Sequence, residues 1–351
     1  MTGGGAENLW PEVLGRLLRR DDLPAELAER ALGAILTGEA TDAQIAGFAV
    51  GLRAKGETSE ELAALVRTML RLADRVEVPS DAPLVDTCGT GGDRSGTVNV
   101  STMAALIVAG AGAKVAKHGN RAASSQCGSA DVLEALGVVI DLDPAGVTRC
   151  IAETGIGFCF AQRFHSALRF AAGPRRELGV PTTFNFLGPL ANPAGATRRT
   201  VGVSDPAMAE RLVGALAELG AEHALVFYGH DGLDELTTTT TSTVFELHDG
   251  EVAKYEIDPV ALGLVTVEPG ALAGGDAGGN AQVVHRVLAG QPGPAREIAA
   301  LNAAAGLLVA GLADDLAGGL ELAFASIDDG RAAATLAAFV RTSVAAREAG
   351  S

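Results

Sequence analysis

Apolar and polar positions follow two different periods along this chain, and the period changes near residue 80. Before that point apolar residues recur three and four apart, in Leu14-Leu17-Leu18, Leu27-Ala31-Leu32-Ile35-Leu36 and Ile45-Phe48-Ala49-Leu52. That spacing lays one apolar stripe along a helix. The breaks carry helix-start signals. Asp21-Asp22-Leu23-Pro24 reads as an acidic cap with an early Pro. Thr41-Asp42-Ala43-Gln44 has capping-box spacing, and Thr58-Ser59-Glu60-Glu61 offers a further cap. Residues 1–76 are therefore expected to form an α-helical domain that packs or dimerises and carries no chemistry, with a segment near 170–195 joining it.

After the polar connector Glu77–Pro83 the pattern switches to short apolar runs alternating with helical stretches. Leu84-Val85, Lys114-Val115-Ala116, Val138-Val139-Ile140, Phe158-Cys159-Phe160, Thr200–Val203 and Ala224–Tyr228 read as strands. Helices fall between them, so the sheet is expected to be largely parallel. Val244–Leu247 and Val252–Ile257, joined through Asp249-Gly250, read as a hairpin. The Thr run 237–241 is β-prone, and the last seventy residues look helical. The expected fold class is α/β: a small N-terminal α-helical domain, then a large α/β domain over 77–351 whose central, mainly parallel sheet is flanked by helices.

Composition changes this picture in three places. A length of 351 residues suits two domains, and 48% hydrophobic residues permit a large core. The net charge of −16 repels nucleic acid and anionic lipid, and there is no Lys/Arg run to form a basic groove. A polyanionic substrate would need the site to create its own positive potential. Cys88, Cys127, Cys150 and Cys159 form no CxxC pair, the N-terminus has no leader-like pattern and no apolar run approaches the ~20 residues of a membrane span. Reduced thiols in a cytoplasm, with no membrane partner, are expected.

Gly-rich and charged clusters sit where strands hand over to helices. Asp86-Thr87-Cys88-Gly89-Thr90-Gly91-Gly92-Asp93 follows the first strand and precedes a helix starting near Asn99-Val100-Ser101-Thr102. Its glycines let backbone N–H groups converge on an anion, and the helix N-terminus adds partial positive charge. A bare βα turn is the alternative. Lys117-His118-Gly119-Asn120-Arg121, with Ser124-Ser125 and Ser129 behind, would supply positive charge and hydroxyls. Asp234-Glu235 follows the Ala224–Tyr228 strand, at the sheet edge where open α/β folds bind ligands. Carboxylates there beside a pyrophosphate point to Mg²⁺, although a lone Asp-Glu pair is commonly a solvated turn. Phe158–His165, Pro174-Arg175-Arg176 and Phe184–Pro193 set aromatic rings near guanidinium groups, which suits a flat aromatic acid, or a plain core with surface Arg.

Together these motifs resemble anthranilate phosphoribosyltransferases. GTGGD (89–93), NVST (99–102), KHGNR (117–121), GSADVLEALG (128–137), FNFLGPLANP (184–193), GLDE (232–235) and GGDAGGNA (274–281) occur in family order over nearly the whole chain. The resemblance implies a site in the cleft between the two domains, dimerisation through the helical one, and a Mg²⁺-dependent transfer of phosphoribosyl from phosphoribosyl pyrophosphate (PRPP) to anthranilate in tryptophan biosynthesis. It implies PRPP contacts at Gly89, Gly92, Asp93, Thr97, Asn99, Val100, Ser101, Thr102, Lys117, Ser125 and Ser129. Ser101, Asp234 and Glu235 are implied for the metal, and Asp234, Glu235 and Lys117 for catalysis. Gly89, His118, Asn120, His165 and Arg175 are implied for anthranilate; Arg175 rather than Arg176 has the family's Arg-x-x-Leu-Gly spacing. This chain departs from the pattern at Arg94, where the family loop has Gly. It departs again at Gln162 and Ser166, where the family has Pro. A pyrimidine-nucleoside phosphorylase shares the architecture but would not require the Asp234-Glu235 pair or Mg²⁺.

Overall fold

A computed structural model describes residues 9–78, 83–122 and 126–350. Helices Leu9–Leu18, Ala25–Leu36, Asp42–Lys55 and Ser59–Arg71 open the chain. Thr41 and Thr58 close capping boxes with Gln44 and Glu61, as their spacing predicts. The acidic cap expected at Asp21-Asp22 is not made: Pro24 holds the N-cap position without a side-chain bond, and Asp22 instead accepts from Lys55 at 2.7 Å. A Lys brought alongside by the third helix outcompetes the local backbone.

The strands are β1 (Leu84–Gly89), β2 (Lys114–Gly119), β3 (Ile156–Phe160), β4 (Arg198–Gly202), β5 (His223–Gly229), β6 (Ser242–His248) and β7 (Glu251–Ile257). They form a 7-stranded sheet in the order β3-β2-β1-β4-β5-β6-β7. The first five are parallel, and β6 and β7 add an antiparallel hairpin turning at Asp249-Gly250, both with positive φ. One expected strand and one β-prone run do not join the sheet. Val138-Val139-Ile140 runs without a partner strand; Val139 N–H donates to the Ser343 hydroxyl at 3.0 Å, and Val138 and Ile140 are buried as loop. The Thr run 237–241 is also loop, because its Thr237 and Thr239 hydroxyls bond the Asp231 carboxylate instead of facing neighbours on a sheet.

The core has two parts, one on each face of the sheet. On one face, helices Val100–Gly110, Pro294–Ala310, Leu316–Asp328 and Arg331–Gly350 bury Val85, Val115, Leu225 and Phe227. On the other, Cys88, Val201, Val226 and Phe245 share a core with helix Pro206–Glu218 and the N-terminal helices. Helix Arg169–Leu178 packs on the second and third helices, and Phe184, Phe186 and Leu190 enter the same core. Among the described residues no helix is long and apolar enough to cross a membrane.

Candidate active site

The chain order along the sheet reverses between β1 and β4. β2 and β3 lie on one side of β1, and the chain then returns to place β4 on the other. Such a switch leaves a crevice beyond the carboxyl ends of the strands. Gly89 and Gly202 face each other there as paired residues. Asp234, in the loop after β5, fills the space that side chains would take. A Cβ on Gly89 would lie 2.5 Å from Asp234 Oδ2, and one on Gly202 would lie 1.6 Å from the Asp234 carbonyl oxygen. Those two glycines thus admit the carboxylate to the strand ends.

Polar bonds then tie three segments together. Gly91 N–H donates to Asp234 Oδ2 at 2.7 Å, and Ser101 N–H, in the first turn of its helix, donates to Glu235 Oε1 at 3.2 Å. Lys117, 2% exposed, donates to the Thr87 carbonyl at 2.6 Å and reaches Ser101 Oγ at 3.3 Å. Burial, reinforced by the charge of Asp93, pushes the Asp234 carboxyl up to about 7. Burial and the charge of Asp234 hold Glu235 well above the ordinary carboxylate range, and burial lowers Lys117. The carboxyls keep a fringe of access to the crevice while the surrounding protein strips most of their water. Two backbone-anchored carboxylates and a hydroxyl form an all-oxygen donor set, the kind a hard divalent cation prefers. The residues therefore fit Mg²⁺, which would relieve the burial of both acids at once.

Beyond β1, Gly91 and Gly92 take φ of 64° and 85°, and Arg94 takes 57°. Arg94 thus holds a left-handed backbone that suits Gly better, at a cost of roughly 1 kcal/mol. Asp93 accepts from the hydroxyl of Ser95 at 2.6 Å. Thr97 bridges to Ala273, and Gly274 N–H donates to the Gly96 carbonyl at 2.7 Å. Asn99 donates to the Cys127 carbonyl and accepts from Asn280 at 2.9 Å. Asn280, 2% exposed, also accepts from Gly275 N–H at 2.8 Å, so it clamps the 274–281 turn onto the helix start. The sequence singled out GGDAGGNA without assigning Asn280 a part; one amide among small residues was the available signal. Val100 and Thr102 are buried, and Thr102 Oγ1 has no partner. Ser129 bonds the Asn120 carbonyl at 3.3 Å. Ser125 lies outside the described residues.

The second wall carries rings. His118 Nδ1 lies 3.0 Å from the Gly188 carbonyl, which can only accept, so Nδ1 carries the proton and Nε2 a lone pair. That Nε2 is buried and unpartnered. His165 Nε2 likewise donates to the Ala191 carbonyl at 2.8 Å, and the two rings meet edge to face at 5.2 Å. Burial pushes His118 down to about 4, and burial with the neighbouring His118 pushes His165 down to about 3. Both are neutral at pH 7. Behind them Asp86 accepts from His118 N–H and from Asn192, and buried Arg199 donates to the Pro189 and Leu190 carbonyls. This fixes the 188–192 turn whose carbonyls set both tautomers. Asn120 is exposed at the end of β2, its Oδ1 accepting from Arg121 N–H.

Arg175 is half-buried with its guanidinium 5.6 Å from the Phe184 ring centre, and it has no carboxylate partner among the described residues. Arg176 is exposed. Arg121, expected to add positive charge to the crevice, does not: Asp131 and Glu134 both hold it at 2.9 Å. Arg163 is likewise paired, with Asp74. The arrangement can therefore hold a metal-bound polyphosphate against the strand ends. It also sets a guanidinium with no carboxylate partner among the described residues and two neutral imidazole rings beside a planar acid.

Known proteins resemble this chain over both of its domains. Residues 11–73 match the glycosyl transferase family's helical bundle domain, and residues 81–333 match its a/b domain. A Nocardioides protein named anthranilate phosphoribosyltransferase is 56% identical over 332 residues, covering 93% of this chain and 96% of its own. One of the same name from Acidothermus cellulolyticus is 55% identical, covering 96% of both. Among solved structures, the anthranilate phosphoribosyltransferase of Thermus thermophilus superposes with a TM-score of 0.89 at 41% identity, covering 94% of this chain and 99% of that one. The Saccharomyces cerevisiae enzyme in complex with PRPP and Mg also reaches 0.89, at 26% identity over 97% and 99% of the two chains.

Proposed function

This chain belongs to the anthranilate phosphoribosyltransferase family, and from that membership we propose that its crevice joins the phosphoribosyl group of PRPP to the amine of anthranilate with Mg²⁺ as cofactor. The product is N-(5′-phosphoribosyl)anthranilate, on the path to tryptophan. The observation that carries the site assignment is the seating of Asp234 and Glu235 between the Gly89–Asp93 loop, Ser101 and Lys117.

In this reading Gly89, Gly92, Asp93, Thr97, Asn99, Val100, Ser101, Thr102, Lys117, Ser125 and Ser129 surround PRPP, with Val100 contributing backbone only because its side chain is core. Asp234, Glu235 and Ser101 hold Mg²⁺, which when bound neutralises the pyrophosphate oxygens. The amine nitrogen bonds C1′ as the C1′–O bond breaks, and the electron pair leaves with pyrophosphate. Lys117 and the loop amides stabilise that developing charge. Arg175 takes the anthranilate carboxylate, and Asn120, His165 and Gly89 line the ring. The nitrogen sheds its extra proton to solvent once it has bonded C1′, and no strong base is needed because the nucleophile's lone pair is already available; the neutral His118 ring lines the pocket beside His165. Positioning supplies the rest of the acceleration.

A second copy of the chain fits the exposed apolar face of the first and third helices, where Leu18 and Val50 stand out at 86% and 44% exposure and Gly47 and Gly51 rest on Leu14 and Leu17. Four free, buried Cys accord with a reducing cytoplasm. The test is fluorescence-monitored anthranilate consumption by purified protein with PRPP and Mg²⁺. Loss that stops on adding EDTA supports the reading; persistent anthranilate at saturating PRPP and Mg²⁺ overturns it.

A further inference from the structure

Half of the chain's six His lie on β5 to β6 or at their ends, and two of them share an arrangement that the crevice does not use. His223, the first residue of β5, pairs directly with His248, the last of β6. Their rings stack at 4.1 Å, 13° from parallel. Two residues back on the same face of β6, Glu246 lies 2.8 Å from His223 Nε2. Tyr255 O–H donates to its other oxygen at 2.9 Å, which fixes the carboxylate's orientation. One donor atom from each of His223, Glu246 and His248 falls within 4.8 Å of the others.

We propose that His223, Glu246 and His248 form a binding site for a divalent first-row transition cation such as Zn²⁺. Two imidazoles and a carboxylate are borderline donors, which suit Zn²⁺, Co²⁺ or Ni²⁺ and distinguish this set from the all-oxygen crevice. Zn²⁺ bound by three such ligands at ~2.0–2.2 Å leaves a fourth position for water. Tyr255 supplies the outer hydrogen bond that ligating carboxylates commonly have. The surrounding charge favours a cation, since Glu251 faces His248 across the β6–β7 ladder and Asp249 adjoins it. Access is open at one side only: the His248 side chain is 58% exposed and that of His223 7%. The metal takes the Nε2 position of His223 that now donates to Glu246, that proton moves to Nδ1 or to solvent, and the exposed His248 ring turns out of the parallel stack so that its lone pair meets the same ion. Binding would pin the antiparallel hairpin to β5. The site lies at the start of β5, whereas Asp234 follows its end, so about 20 Å of strand separates it from the crevice.

The experiment is calorimetric titration of the full-length protein with Zn²⁺ in the presence of excess Mg²⁺, which occupies the crevice carboxylates. Expected are one Zn²⁺ per chain in wild type, at least tenfold weaker binding in the surface variant His248→Ala, and unchanged binding in Asp234→Asn/Glu235→Gln. Equal Zn²⁺ affinity in wild type and His248→Ala, or binding lost with the crevice carboxylates, overturns the proposal. Anthranilate turnover in His248→Ala should equal wild type, and its circular dichroism verifies folding.

Discussion

On the strand-edge wall, Asp234 and Glu235 are acids that burial raises, to about 7 for Asp234. On the aromatic wall, His118 and His165 are bases that burial lowers, to about 4 and 3. The aromatic wall settles its groups internally, with the Gly188 and Ala191 carbonyls taking one proton from each ring. The strand-edge wall does not, because the backbone N–H groups that reach the two carboxyls do not offset their burial. The aromatic wall thus fixes one proton on each ring and leaves His118 Nε2 without a partner, while in the proposed reading the strand-edge wall is relieved when a cation binds. Different strands carry the two kinds of group, with the acids after β5 and the rings on β2 and after β3, so each can have its own surroundings within one crevice.

The largest expected effect breaks the strained wall. Asp234→Asn/Glu235→Gln should lower kcat about 10³-fold, roughly 4 kcal/mol, the scale of losing a principal electrostatic stabiliser. Its metal-free thermal stability at pH 7 should stay at or above wild type, since two buried acids whose ionisation the site disfavours are replaced by neutral amides. A fall in melting temperature instead would mean the fold satisfies those carboxyls itself.

Next in size is the opposite response of the two walls to acid. The His118 pKa is lower folded than unfolded, so the unfolded chain binds the extra proton. Its stabilising contribution is intact above about 6.5 and lost as pH falls toward 4, by roughly 3 kcal/mol. Asp234 is raised, so its burial cost applies at pH 7 and above and is relieved as pH falls below that. Urea unfolding of wild type and His118→Gln across pH 4 to 7 should give a flatter acid limb in the variant. Parallel curves would show that this ring is not held neutral by burial.

Smaller still, Arg175→Gln should raise KM for anthranilate roughly 30-fold, about 2 kcal/mol for one charged hydrogen-bonding partner, with PRPP binding unchanged. A matching loss of PRPP affinity would place Arg175 on the wrong wall. The smallest change is Arg94→Gly, expected to add about 1 kcal/mol of stability by removing a left-handed non-glycine residue. Equilibrium denaturation reads it directly, and no gain would mean that the Arg94 side chain compensates its backbone.

The period of the apolar residues revealed the helical domain, the parallel strands and the hairpin, because burial of one face or both leaves a local trace. It overread Val138–Ile140 and the Thr run, where β-prone residues lack a partner strand or bond a nearby Asp. The glycine loop and Asp234-Glu235 were legible as motifs. Their mutual fit through Gly89 and Gly202 was not, since it depends on which strands become neighbours. Arg121 misled for the same reason: the acids that neutralise it, Asp131 and Glu134, reach it only once a helix forms. The paired tautomers of His118 and His165 likewise need the 188–192 turn in place.

In the proposed function the strand-edge carboxyls await a metal-bound pyrophosphate. Calorimetric titration with PRPP, with Mg²⁺ and with EDTA, in wild type and Asp234→Asn/Glu235→Gln tests it most directly. Mg²⁺ should strengthen PRPP binding at least tenfold in wild type and have little effect in the variant. Equal Mg²⁺ enhancement in both proteins would contradict it.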